Sequence, residues 1–430
     1  MFRGNAHMDF LEACLHANGR EAVKAVRSLL PSVRTSAVWA IIMHAAAWHE
    51  EHTFDTSHAT ISVYTAHRMI ESLGKHPALV SEKPIAHRVI DLPTEQTTNL
   101  QELLIERLAY HLADTDHWRL EQGPRYDIET RLDSRGNAVQ VYVQSIRERV
   151  QMSALKAAAV LGARADQTML IRATASIAAE EPDKLGHTFI MPISLVTELP
   201  ASEYTRPHIA TLWHLTEFLV RKVPSKAADE FGMDDKIGKF AKRTDLSLNA
   251  ELVMNAVVKY GTLGHNAIFA HRISEAARLG LVNNETIQRL LQKLQRNIGT
   301  ELEDVKDLSL DNLVKKQAGT DWSELPTEIS LPSSKKVSEW FSLEHADLWN
   351  SMYSLQSSTF ENLIMDATKQ DWPIIRAMQY AMATITGDME ASHPLIFTQS
   401  VWSLVDNGLI PECLAALQVH RLLREQMKDR

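Results

Sequence analysis

Residues 44–74, HAAAWHEEHTFDTSHATISVYTAHRMIESLG, bring five histidines, Asp55 and the glutamates Glu50 and Glu51 to the join of two predicted helices. The first helix carries Val38, Ile41, Ile42, Ala45 and Trp48 on one stripe at helical spacing. The connection HTFDTSH then offers Asp55, Thr56 or Ser57 as an N-cap, and a second helix runs from about His58 to Leu73. Gly74 suits the position just past its end. Two helices joined by a short polar turn are the unit of an α fold. No other stretch is as dense in groups that bind a metal or move a proton.

The same pattern extends outward. Residues 9–49 read as two or three short helices, 76–120 as one or two, and 152–199 as three with breaks near Gly162 and at Pro182. Further helices are predicted over Pro207–Val223, Leu246–Tyr260, Leu263–Leu279, Glu285–Ile298, Phe360–Lys369, Pro373–Ile385, His393–Val405 and Pro411–Gln426. Only YDIETRLDSRGNAVQVYVQSI alternates in two runs, about Arg135-Gly136-Asn137, which predicts a hairpin. The fold class is therefore all-α: a multi-helix bundle or closed helical array, with at most one small β-hairpin near 126–145. Residues 1–317 form the main helical domain in this reading. Residues 318–336, with two prolines and four serines, form a linker or crossing loop, and 337–430 add C-terminal helices packed on the same core.

Composition narrows the partners. The chain has 430 residues and 48.4 kDa, with 45% apolar and 23% charged residues, enough to bury one large core or two. A net charge of -9 opposes a phosphate-binding surface, so nucleic acid is not expected. The basic group Lys236, Lys239, Lys242 and Arg243 is interleaved with Asp234, Asp235 and Asp245, as on a solvated face. Two cysteines, Cys14 and Cys413, give no disulfide framework and no CxxC motif. No apolar run suits a signal peptide or a membrane span, so a cytoplasmic location and no membrane partner are expected.

Histidines recur at predicted helix starts. HATISVYTAHRMIESLG opens at His58, HNAIFAHRISEAARLG at His265 and HPLIFTQSVWSLVDNG at His393, each closing on a glycine 15 or 16 residues later. His208 opens a fourth, PHIATLWHLTEFLVR, without the glycine. A helix N-terminus acts as partial positive charge, disfavours imidazolium and leaves the ring neutral, the form that ligates metal or accepts a proton. If these first turns face one another, their rings meet in one pocket. Asp55 and Glu390 stand three residues ahead of His58 and His393 and suit ligands or ring orienters, while His49 and His52 flank Glu50 and Glu51. The candidate ligands are thus His49, His52, Asp55, His58, His208, His265, Glu390 and His393, and the metal a first-row transition ion, with iron ahead of manganese and zinc. His67, nine residues after His58, points to the opposite side, and His214 and His271 lie about 120° round from His208 and His265. His111 and His117, with Asp114 and Asp116, form a second polar patch.

A plainer reading stands beside this one: each of these histidines can be a helix-start residue beside an N-cap, with no ligand. No GxGxxG, GxxxxGK[ST], HExxH or GxSxG motif is present. Glu390 and His393 have ExxH spacing but straddle a helix start, which argues against a ferritin-like bundle.

The phrases DTSHATISVYTAHR, GHNAIFAHR and SHPLIFTQSVW resemble the histidine-containing helices of the questin oxidase-like group. That resemblance, confined to these phrases, implies a helical protein of oxygen-dependent chemistry and singles out His58, His265 and His393. The function expected is a histidine-lined, metal-dependent oxidoreductase acting on a small molecule, oxygen-activating in its fullest form. Without a nucleotide motif it would need an external electron donor protein. The rival is a non-catalytic helical interaction scaffold with structural histidines.

Overall fold

The computed structural model describes residues 5–30, 35–50, 58–74, 95–128, 138–162, 167–197, 206–224, 243–246, 249–299, 372–385 and 392–428. Among these the fold is all-α, without a strand. The helices are α1 (Asn5–Leu15), α2 (Gly19–Leu29), α3 (Thr35–Ala46), α4 (His58–Gly74), α5 (Glu95–Ala113), α6 (Ala138–Arg147), α7 (Gln151–Gly162) and α8 (Gln167–Ala178). They continue as α9 (His187–Val196), α10 (Arg206–Lys222), α11 (Ala250–Val258), α12 (His265–Leu279), α13 (Asn284–Ile298), α14 (Trp372–Ile385), α15 (Ser392–Asp406) and α16 (Glu412–Lys428). The proposed linker at 318–336 and the predicted helix Phe360–Lys369 lie outside the described residues.

Outer and inner helices differ in pattern. In α2, Asn18 caps the Glu21 N–H, and Ala22, Val23, Ala25, Val26 and Leu29 make one buried stripe. In α13, Asn283 caps the Thr286 N–H at 2.8 Å, and Ile287, Leu290, Leu291, Leu294 and Ile298 do the same. By contrast α12 is buried on every side from His265 to Ala277. A helix buried all round belongs to the interior.

Four interior helices close into a ring. α4 packs on α15, α15 on α12, α12 on α9, and α9 back on α4. Ile61, Ile190, Ile268 and Ile396, one from each, are buried. Each such side chain stabilises the fold by roughly 1.5–3 kcal/mol relative to exposure. α14 clamps the ring from outside: Arg376 pairs with Asp406 of α15 at 2.8 Å and donates to Ser72 of α4 at 3.2 Å. Gln379 adds a hydrogen bond from the buried Trp402 indole at 2.9 Å. The C-terminal helices thus share a core with the N-terminal ones.

The expected hairpin is corrected. Its second run is helix α6, in which Ala138, Val139, Tyr142, Val143 and Ile146 are buried and Gln140 and Gln144 exposed. The valines at 139, 141 and 143 satisfy a two-residue period, but the buried set follows the helical one. Residues 129–137, which include the presumed turn, lie outside the described residues.

Candidate metal centre

The first turns of the four ring helices converge. His58, His187 and His265 open α4, α9 and α12, and His393 is the second residue of α15. One ring nitrogen from each lies within 4.8 Å of the others, and all four side chains are buried. They follow the order of the helices: His58 Nε2 is 3.3 Å from His187 Nε2, which is 2.8 Å from His265 Nε2. His393 closes the circle with ring centroids 4.9 Å from His265 and 4.6 Å from His58.

Local backbone chemistry sets two of the rings. Gly186 and Gly264, just ahead of His187 and His265, share the left-handed conformation, with φ 88° and ψ 6° in both. A Cβ on Gly264 would lie 2.3 Å from the Phe397 ring, and one on Gly186 would lie 2.8 Å from Phe269. These close approaches let neighbouring helices draw together at the histidines. The turn before His265 is strained as well, since Leu263 has φ 53° without being glycine. Asn266 holds it by donating to the Lys259 carbonyl at 2.6 Å.

Hydrogen bonds then fix which nitrogen faces inward. His265 Nδ1 is 2.6 Å from the Thr262 carbonyl, which only accepts, so Nδ1 carries the proton and Nε2 the lone pair. Burial, then the neighbouring His187, lowers the His265 pKa to about 4, so the ring is neutral at neutral pH. Asp183 accepts the His187 backbone N–H at 2.7 Å and faces His187 Nδ1 at 3.5 Å. Burial works to raise that carboxyl's pKa, but the hydrogen bonds from His187 outweigh it and hold it low. An ionised Asp183 makes Nδ1 the proton-bearing nitrogen of His187 too, as carboxylates do behind metal-bound imidazoles.

The two Nε2 atoms lie 2.8 Å apart, a distance at which one ring hydrogen-bonds to the lone pair of the other and at which a cation can take the place of that proton. Two imidazole nitrogens about 2.1 Å from a common ion, at right or tetrahedral angles, sit about 3.0–3.4 Å apart. The 3.3 Å separation of His58 and His187 falls in that range, and the 2.8 Å separation of His187 and His265 is slightly shorter. The group can hold a metal ion.

The other predicted ligands divide. His58, His265 and His393 come together. His52, Asp55 and Glu390 lie outside the described residues. His49 does not join the group: it forms an isolated antiparallel bridge with His117, ring centroids 6.3 Å apart. That bridge extends the α3 end, with the Glu50 N–H on the Asp116 carbonyl and the Trp118 N–H on the Trp48 carbonyl. His208 does not join it either, because it is buried against α7, where a Cβ on Gly162 would lie 2.9 Å from its Nε2. His67 packs edge-on to Trp39, His214 reaches the Ala47 carbonyl at 3.1 Å, and His271 meets Ser400 at 3.1 Å, all away from the centre.

His187 and Asp183 are the residues that sequence reasoning missed. A signal was present: [Gly/Ser]-His-x-x-Ile occurs at Ser57-His58, Gly186-His187, Gly264-His265 and Ser392-His393, and nowhere else in the chain. Gly186 and Gly264 are the two of these small residues at which a close approach is seen, and the isoleucine three residues after each histidine is buried. No family profile, curated protein or solved structure matches the chain.

Proposed function

We propose that the protein is a metal-dependent oxidoreductase acting on a small molecule, with a first-row transition metal held by His58, His187, His265 and His393. The observation that carries this reading is the convergence of four histidines whose ring nitrogens lie within 4.8 Å of one another, with His187 and His265 each held by a partner behind the ring. An all-imidazole set suits iron, and also zinc, copper or nickel, and adds no negative charge of its own. Iron is the choice that agrees with the resemblance to questin oxidase-like phrases and with oxygen as the small molecule. A metal so held supplies Lewis-acid and redox chemistry to a molecule reaching it.

The chain's own residues set the terms. Asp183 and the Thr262 carbonyl hold two ligands by Nδ1 and so turn their Nε2 atoms inward. Four helix N-termini, each equivalent to roughly half a positive charge, point at the centre and favour a ligand that brings negative charge. Ile61, Ile190, Ile268 and Ile396, three residues after the four histidines, are buried and make the helix stretches next to the group apolar. Asp55 and Glu390, three residues ahead of two ligands in the chain, are proposed as further ligands or orienters. Electrons would come from an external donor protein, because neither cysteine belongs to the histidine group.

Elemental analysis tests this. The protein as purified, and after anaerobic reconstitution with iron, manganese or zinc, should retain about one metal per chain. A content below about 0.2 equivalents for every metal, unchanged by reconstitution, would overturn the reading and favour a scaffold. Reductant-dependent oxygen uptake by the iron form alone would support the redox assignment over a structural one.

A further inference from the structure

Gly261, Leu263 and Gly264 have positive φ, at 69°, 53° and 88°, so the turn just ahead of His265 is left-handed at three positions. Leucine gains nothing from that conformation, which persists only where the surroundings over-determine it. The turn delivers the Thr262 carbonyl, which accepts both the backbone N–H of His265 and its ring Nδ1–H, the latter at 2.6 Å. Whatever holds this turn therefore holds the tautomer of a candidate ligand.

Tyr260 is the upstream anchor. Its carbonyl accepts the Asn266 N–H at 3.0 Å, and Asn266 Nδ2 donates to the Lys259 carbonyl at 2.6 Å, which ties the turn to the start of α12. The Tyr260 side chain is buried and is met by two other helices. From α16, Glu425 accepts the Tyr260 hydroxyl hydrogen, and Arg421, paired with Glu425 at 2.9 Å, lies 5.4 Å from the centre of the tyrosine ring. From α15, Phe397 meets the ring with centroids 5.2 Å apart. Phe397 stands one helical turn after His393 and is also the ring that crowds Gly264. One tyrosine thus joins the helix of His393, the turn of His265 and the C-terminal helix. Glu425 and Arg421 keep 42% and 31% of their side-chain surface in solvent, so the buried histidine is tied to a surface ion pair.

We propose that Tyr260 is a positioning residue of the histidine centre: held by Glu425 and Arg421 of α16, it fixes the turn that keeps the Thr262 carbonyl on His265 Nδ1. Displacing Glu425 from Tyr260 then frees His265 to take the other tautomer, in which Nε2 carries the proton and has no lone pair for a metal. The consequence for metal rests on reading the histidines as a metal centre. The consequence for the tautomer does not.

The test uses the full chain carrying isotope-labelled histidine. In the metal-free protein, two-bond nitrogen–proton correlation spectra read the tautomer of His265, whose signals are assigned by their loss in His265→Gln. The wild type is expected in the Nδ1–H form. Tyr260→Phe and Glu425→Ala should both populate the Nε2–H form, and Glu425→Gln, whose amide oxygen still accepts the hydroxyl hydrogen, should keep the wild-type spectrum. Zinc affinity, measured against a chelating dye, should fall about tenfold in the first two variants, the low end of what losing a direct partner of a ligand costs, and stay near wild type in the third. Should Tyr260→Phe fail to fold, the surface change Glu425→Ala carries the test. A purely structural role would lower the unfolding temperature of both variants and leave tautomer and zinc affinity per folded chain unchanged, and that result would overturn the proposal. If the wild type takes up no zinc, the metal reading falls by itself, and the proposal then stands or falls on whether Glu425→Ala shifts the tautomer.

Discussion

Two polar layers of the ring lie at different depths and differ in kind. At the helix starts, four histidines bring ring nitrogens within 4.8 Å of one another. Deeper in, Arg68 and Arg272 both pair with Glu275 and tie α4 to α12. The difference shows how a helical ring assigns roles by register: the first turn, where the helix ends are positive and the backbone is bent by glycine, receives chemistry, and the sealed interior receives charges that bind helix to helix. Function and cohesion are thereby expected to separate under mutation.

The strongest break of that comparison is His187→Ala combined with His265→Ala. Metal content should fall to background while far-ultraviolet circular dichroism remains helical; loss of helicity would mean that the histidine layer also holds the fold. Next in size is Glu275→Gln, which leaves two buried guanidiniums facing each other and should cost about 3–5 kcal/mol in urea unfolding. Metal per folded chain should be unchanged by it. Gly264→Ala couples the layers, since it forces a left-handed alanine against Phe397. A loss of about 1–3 kcal/mol together with weaker metal binding is expected, with Gly186→Ala milder because its closest approach is longer. Asp183→Asn should reduce metal affinity about 10–100-fold, measured by competition with a chelator, with little change in stability.

A further effect is that of pH on the metal-free protein. Burial, first among the causes, lowers His44 and His214 to about 3 and His117 to about 4. The unfolded chain takes up protons on these groups from about pH 6.5 downward, whereas the folded chain resists until about pH 3–4. Stability is therefore fully present above that range and falls as pH drops through it. Urea midpoints at about pH 7.5 and pH 5 would show the loss, and a flat profile would contradict the burial of neutral rings.

Much of the ring was legible in sequence. α4, α12 and α15 each announce themselves by a histidine at the start, an apolar run and a later glycine, whereas their convergence stood in the sequence only as a condition. α9 was harder to read: HTFIMPISLV is apolar on all sides, so it shows no stripe, and Pro192 inside it looks like a terminator. His208 has the right position in its helix but Thr211 three residues later, where the ring helices have isoleucine. It packs outside the ring, against Gly162. His49 went astray for a different reason, because density of polar groups along the chain says nothing about where a bridge to His117 will carry them. The Arg272 layer left no local signature, since its pairing joins α4, α9 and α12 across more than 200 residues of sequence.

The closure of the ring by α15 also orders events during synthesis. His393 emerges from the ribosome 128 residues after His265, so a nascent chain carries three of the imidazoles long before it has the fourth. A four-histidine group is consequently complete only late in synthesis, and a chain cut short of α15 would carry three of its histidines without the fourth.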